Sequence, residues 1–159
     1  MTNHELANKK RACLVYVAAT EAGRDAIRAR LEQSGYSVCE IKAEQDVALA
    51  AQSGQVDLPI ALAECITGSD LCVFLLPEEE CDDCGLGGAA GLAVQLGRRI
   101  IGIVAGGRTE YPESFDTGAG SMLRIGSDRL DDAINGTDVW ERQDRSPAVD
   151  RPIKHVRCQ

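Results

Sequence analysis

Three stretches of the chain are apolar at consecutive positions rather than at alternate ones. They are Ala12–Ala19 (ACLVYVAA), Leu71–Leu76 (LCVFLL) and the IIGIV that closes Arg98–Val104. A strand that does not alternate is buried on both faces, the condition of the inner strands of a parallel sheet. Tyr36–Lys42 (YSVCEIK) alternates more, which predicts a strand at the sheet edge. Ser121–Ile125 predicts a weaker fifth strand.

Between these runs the apolar positions fall at helical spacing. Thr20 predicts a cap, with Glu21 as first helical residue and an inner stripe of Ala22, Ala26, Ile27, Leu31 and the stem of Arg30. Ser34-Gly35 predicts its end, since glycine supplies the left-handed cap. Glu44–Ser53 predicts a short helix and Val56–Gly68 a clearer one, in which Leu58, Leu62, Cys65 and Ile66 share a face. Asp57 is its cap and Pro59 fits its first turn. A small-residue helix leads into Arg98, and Ser127–Asn135 predicts a last one, with Leu130, Ala133 and Ile134 inward, stopping at Gly136. The stretch 105–120 (AGGRTEYPESFDTGAG) reads as a loop, long for a connector.

Strands that alternate with helices predict right-handed βαβ units. The expected fold is a doubly wound parallel five-stranded sheet of α/β class, flavodoxin/Rossmann-like, in strand order 2-1-3-4-5. Residues 1–10 are expected to be a disordered lead-in, 11–136 a single α/β domain, and 137–159 a polar tail packed on it. In this order the switch point lies between the first and third strands, and ligands bind outside the strands' carboxyl ends there. The loops that leave those ends are Ala18–Gly23 and Pro77–Gly88.

Charge narrows the partners. The net charge is −8, which argues against nonspecific binding to nucleic acid or an anionic membrane, where a basic surface supplies the affinity. No run approaches the length of a membrane span, and the polar start MTNHELANKKR lacks a secretory h-region. There are seven cysteines. Cys13, Cys39, Cys65 and Cys72 sit in apolar segments and read as small core residues, a usage that suits a reducing cytoplasm.

Two constellations offer chemistry. Gly85, Gly87, Gly88 and Gly91 open the small-residue helix at the switch point. Backbone N–H groups and the helix dipole favour an anion there, and glycine lets a phosphate approach. The alternative is that these glycines only let the helix pack tightly. Upstream, Glu78, Glu79, Glu80, Asp82 and Asp83 would repel a bare polyphosphate unless a metal intervened, and suit a ribose hydroxyl or a cationic ligand, or form a solvated acidic loop. Second, Cys81-x-x-Cys84 and His155-x-x-Cys158 together have the donors of a tetrahedral structural zinc site. A redox pair or unrelated thiols are the alternatives. Thr20 and Arg24, at the start of the first helix, are candidate ligand contacts. Arg108, Glu110, Tyr111 and Asp116 are candidates for a lid or a subunit contact.

Ser69–Leu76 followed by Gly91–Ile100 (GLAVQLGRRI) resembles the nucleoside 2-deoxyribosyltransferase-like superfamily, in which a buried strand, a loop and a helix of "EIGYAYALGKPV" type succeed one another. The resemblance covers roughly Leu14–Val104. It implies a nucleoside or nucleotide ligand at the crevice and a homo-oligomer. The family's catalytic carboxylate sits two residues before the glycine that matches Gly91, and Ala89 stands there. Alanine can serve neither as a nucleophile nor as a stabiliser of the sugar cation.

The first functional expectation is therefore a module that binds a nucleotide- or nucleoside-derived molecule. The second is an enzyme acting on an N-glycosidic bond through a loop carboxylate, Glu80 or Asp83. The third is an acidic protein-interaction domain.

Overall fold

The computed structural model describes residues 10–43, 60–78, 86–106, 111 and 113–141. Its strands are β1 (Lys10–Tyr16), β2 (Tyr36–Lys42), β3 (Leu71–Leu76), β4 (Arg99–Val104) and β5 (Ser121–Arg124). All pair in parallel, in the order β2-β1-β3-β4-β5. This is the α/β doubly wound sheet expected, with β2 at the edge. The helices are α1 (Arg24–Gln33), α2 (Ile60–Thr67), α3 (Leu86–Gln95), α4 (Glu113–Gly118) and α5 (Leu130–Ile134).

The unbroken apolar runs have a direct structural reason. Successive side chains of a strand point to opposite faces, and each inner strand here has a helical layer on both. Leu71, Val73 and Leu75 of β3 join Leu14, Ile27, Leu31, Ile103 and Leu130 in one half-core, under α1 and α5. Cys72, Phe74 and Leu76 join Val15, Leu62, Ala89, Ala93 and Phe115 in the other, under α2, α3 and α4. Every residue of β3 is buried. Phe74 and Phe115 meet edge to face, with ring centroids 5.3 Å apart, the geometry the ring quadrupole favours. Gly102 of β4 makes room beside them, because a Cβ there would lie 2.4 Å from Met122 Sδ.

The first helix departs from expectation. β1 ends at Tyr16, and Ala18–Gly23 coil into a 3-10 turn before α1 begins at Arg24. Thr20 is not the cap of α1. Its Oγ1 turns back and accepts the Val17 N–H at 3.0 Å, while its own N–H donates to the Val17 carbonyl at 2.9 Å. Ala22 and Ala26 are consequently exposed, and only Ile27 and Leu31 of the expected stripe are buried. α1 stops as expected, at Ser34 with Gly35 at φ +95°.

Three further boundaries differ, and one core assignment. The stretch 105–120 is not all loop, since Phe115 is fully buried and anchors the short α4. β5 ends at Arg124, and α5 is shorter than expected, although Leu130, Ala133 and Ile134 are its buried face. Cys39 is exposed rather than a core residue, because it lies on the edge strand. The predicted helix over Glu44–Ser53 and the first turn of the helix from Val56 lie outside the described residues.

Beyond α5 the chain returns to the sheet. The Met122 N–H donates to the Val139 carbonyl at 2.8 Å, and the Glu141 N–H to the Met122 carbonyl at 2.9 Å. This short parallel addition covers the edge of β5, and the Trp140 indole N–H reaches the Gly120 carbonyl at 3.1 Å. Among the described residues no helix is long and apolar enough to cross a membrane.

Candidate ligand-binding crevice

Parallel pairing brings the carboxyl ends of β1 and β3 side by side, with β2 beyond one and β4 beyond the other. The segments leaving them form the walls of the crevice. On the β1 side lies the 3-10 turn. Thr20 is 96% buried, and its hydroxyl sits within hydrogen-bond distance of two carbonyls, Val17 at 3.2 Å and Leu75 at 3.4 Å. It therefore ties the turn after β1 to the end of β3. Thr20 is a positioning residue here and does not reach outward.

Arg24 does. Its Nη1 donates to the Tyr16 hydroxyl at 2.8 Å, and its guanidinium stands over the Tyr16 ring, 5.2 Å from the centroid. A cation over an aromatic face is attracted by the ring quadrupole. The hydrogen bond to Tyr16 raises the Arg24 pKa further above its ordinary value. Its side chain remains 31% exposed. The result is a fixed positive charge beside the switch point, held by a tyrosine that the sequence reading placed only within a strand. Next to it Lys42, at the end of β2, pairs with Glu21 at 3.1 Å.

On the β3 side, α3 opens with Leu86-Gly87-Gly88. In a helix the first N–H groups have no intrahelical partner, and the parallel topology places this end of α3 at the carboxyl edge. Gly88 is exposed and Gly87 half-buried. The Gly87 carbonyl accepts the Ser114 hydroxyl at 2.9 Å, which braces the first turn of α3 against α4. The buried surface of α3 is Leu86 with three alanines, Ala89, Ala90 and Ala93, all fully buried. Gly91 is not required by close packing, since a Cβ there would meet only Ser114 Oγ, at 3.5 Å. Ala89 faces the core and not the crevice.

Glu78 is the member of the acidic run that lies within the described residues. It is exposed and folds across Gly106, where a Cβ would come within 2.4 Å of its carboxyl carbon. Gly106 has φ +64°, the left-handed region that favours glycine. The loops after β3 and β4 thus touch at the crevice rim. Tyr111, a candidate for a lid or a subunit contact, packs half-buried against the core, and its hydroxyl accepts from Arg124 Nη2 at 3.2 Å.

Glu80, Asp83, Gly85, Cys81, Cys84, His155, Cys158, Arg108 and Glu110 lie outside the described residues. Among the described residues no cluster of three or more His, Cys, Asp or Glu side chains has the arrangement of a metal site.

A separate cavity of about 260 Å³ lies between α1 and the turn after β5, lined by Gly23, Ile27, Ile103, Leu123, Ile125 and Leu130 among others. The sequence reading missed it. Its signal is Gly23, where a Cβ would lie 3.0 Å from the Ile125 side chain, and Gly126, which also lines the cavity. Arg30 and Asp131 close it on one side through paired bonds of 2.8 and 2.7 Å.

No protein-family model matches the chain, and no curated protein matches it in sequence. Similar solved structures include the following two. One is the CMP N-glycosidase BcmB of Clostridium botulinum, at 17% identity over 77% of this chain and 95% of that one, with a TM-score of 0.42. The other is the signal receiver domain of the response regulator NarL from Mycobacterium tuberculosis, at 14% identity over 80% of this chain and 98% of that one, with a TM-score of 0.44. Likeness at this level carries nothing about what this chain binds.

Proposed function

We propose that the protein binds a nucleotide- or nucleoside-derived small molecule in the switch-point crevice, without a catalytic carboxylate at position 89. The observation that carries this reading is the pairing of two anion- and hydroxyl-friendly groups at one carboxyl edge. Arg24 is fixed on Tyr16 beside β1, and the exposed glycine turn opens α3 beside β3. A phosphate would take the guanidinium and the first N–H groups of α3. The Glu78 carboxylate suits a ribose hydroxyl better than a second anion. Ala89, with no exposed surface, supports a binding role.

The enzyme reading remains distinct, since Glu80 and Asp83 belong to the same crevice loop in sequence. The test separates the two. The full-length protein is incubated with nucleosides, nucleoside monophosphates and NAD, and both binding and free-base release are followed. The proposal expects binding of a monophosphate, weakened at least tenfold by Arg24→Ala, with no base released. Base release that stops on Glu80→Gln or Asp83→Asn would replace it with the glycosidic-bond enzyme. No binding of any member of the panel would overturn both.

A further inference from the structure

Four cysteines distant in sequence converge on one face of the sheet. Strand register places Cys13 opposite Cys39 on one side and opposite Cys72 on the other. Register partners in a parallel sheet project to the same face, and neighbouring strands lie about 4.8 Å apart. That face carries α2, whose Cys65 joins Cys13 and Cys72 in the same half-core. The Cys65 thiol lies 3.4 Å from the Cys39 carbonyl oxygen.

The four thiols are not equivalent. The neighbouring Cys13 thiol, with a smaller contribution from Cys39, lowers the Cys65 pKa from the ordinary thiol value against the opposing effect of burial. The others move the opposite way. The bond to Cys65, with burial, pushes Cys13 up. Burial, then Cys65, pushes Cys39 up to about 11. Burial pushes Cys72 up to about 12. Cys65 is thus the one of the four whose pKa is lowered, with its S–H placed to donate to the Cys39 carbonyl in the resting thiol.

Access differs as well. Cys13 and Cys72 have no exposed surface, whereas Cys39 is exposed. Cys39 and Cys65 both line a groove of about 400 Å³ between β2 and α2, bordered by Ser37, Ile41, Glu64 and Ser69. A small oxidant has a route to Cys65 through this groove. The nearest thiol on the same groove is Cys39.

We infer that Cys65 is a peroxide-reactive thiol and that Cys39 resolves it to a disulfide joining α2 to the edge strand β2. In the first step the Cys65 thiolate attacks one oxygen of hydrogen peroxide. The O–O bond breaks, Cys65 becomes a sulfenic acid, and the departing hydroxide takes a proton to give water. In the second step the Cys39 sulfur attacks the Cys65 sulfur. The S–O bond breaks, and the hydroxide leaves as water with the Cys39 proton. Two thiols have lost two electrons to one peroxide. The nucleophile must be a thiolate, and the resolving thiol must lie within reach. This inference is independent of the crevice ligand, because neither Arg24 nor any residue of α3 lines the groove.

The test uses the full chain, reduced, freed of reductant and exposed to hydrogen peroxide, followed by peptide mapping without reduction. The expected product links Cys39 to Cys65 and is restored by a dithiol. In Cys39→Ser, which changes an exposed position, Cys65 is expected to stop at the sulfenic acid and to be captured by dimedone. A disulfide between Cys65 and Cys13 would overturn the assignment of Cys39. Oxidation confined to Cys81, Cys84 or Cys158, with Cys65 left as a thiol, would overturn the inference altogether.

Discussion

The Thr20 hydroxyl lies 3.4 Å from the Leu75 carbonyl oxygen, across 55 residues of chain. Through that contact the turn after β1 is held against the end of β3. Thr20 Oγ1 also accepts the Val17 N–H, so one buried side chain satisfies the turn and joins the two strands that flank the switch point. Thr20→Val keeps the shape and removes the acceptor. A buried donor left unsatisfied costs about 1–3 kcal/mol. Urea unfolding should show a loss of that size, and the crevice should bind its ligand more weakly because its β1 wall is released.

Ala89 carries the argument about catalysis. It is fully buried in the half-core beneath α3. Ala89→Glu is expected to give no nucleosidase activity and to destabilise the fold, since an unpaired buried carboxyl costs several kcal/mol or stays protonated. Gly91→Ala is the contrasting change. It adds a methyl into ordinary contact with Ser114 inside a helix, where alanine is favoured over glycine by about 1 kcal/mol. Thermal unfolding should therefore move down for the first variant and up for the second.

Arg30 and Asp131 join α1 to α5 through a two-pronged ion pair. The hydrogen bond from Arg30 holds the Asp131 carboxyl below its ordinary value. A depressed carboxylate contributes stability that is present above its unfolded pKa of about 3.9 and is lost as pH falls through the folded value. Asp131→Asn should remove this contribution at neutral pH and leave less to lose in acid. Stability measured from pH 7 downward should fall less steeply than in the parent.

Glu141 fastens the returning chain. Its carboxylate accepts the Arg124 N–H and the Ser127 hydroxyl, each at 2.8 Å, and only 7% of the residue is exposed. Glu141→Ala leaves the Arg124 N–H buried without its acceptor, a cost of about 1–3 kcal/mol, readable as a lower urea midpoint. It also loosens the segment that covers the edge of β5. The variant should aggregate more readily than the parent, because an uncovered edge pairs with other chains.

Much of this architecture is legible in the chain because it rests on periodicity. β2 and β3 begin and end where the hydrophobic pattern places them. The buried face of α5 is Leu130, Ala133 and Ile134, three residues at helical spacing. Local chemistry with two outlets was harder to read. Thr20 can cap a following helix or accept a preceding N–H, and only the contact with β3 decides between them. Helix α4 hides among glycines and is held by Phe115, whose partner Phe74 is 41 residues away. The four cysteines each read as a small core residue, yet their convergence depends on strand register, which single-strand patterns do not encode. At the crevice, topology indicates where the walls lie. Arg24 gains its fixed position from Tyr16, a pairing across the 3-10 turn with no signature in the sequence.

The most direct measurement for the crevice is a map of backbone amide shifts in the full-length protein as a nucleoside monophosphate is added. The account predicts saturable shifts at Thr20–Arg24 and at Gly87 and Gly88, with little change at Gly126 and Ser127. Shifts confined to Gly126, Ser127 and Leu130 would assign the ligand to the cavity between α1 and α5 instead. Either that pattern or an unchanged spectrum would contradict a binding site at the switch point.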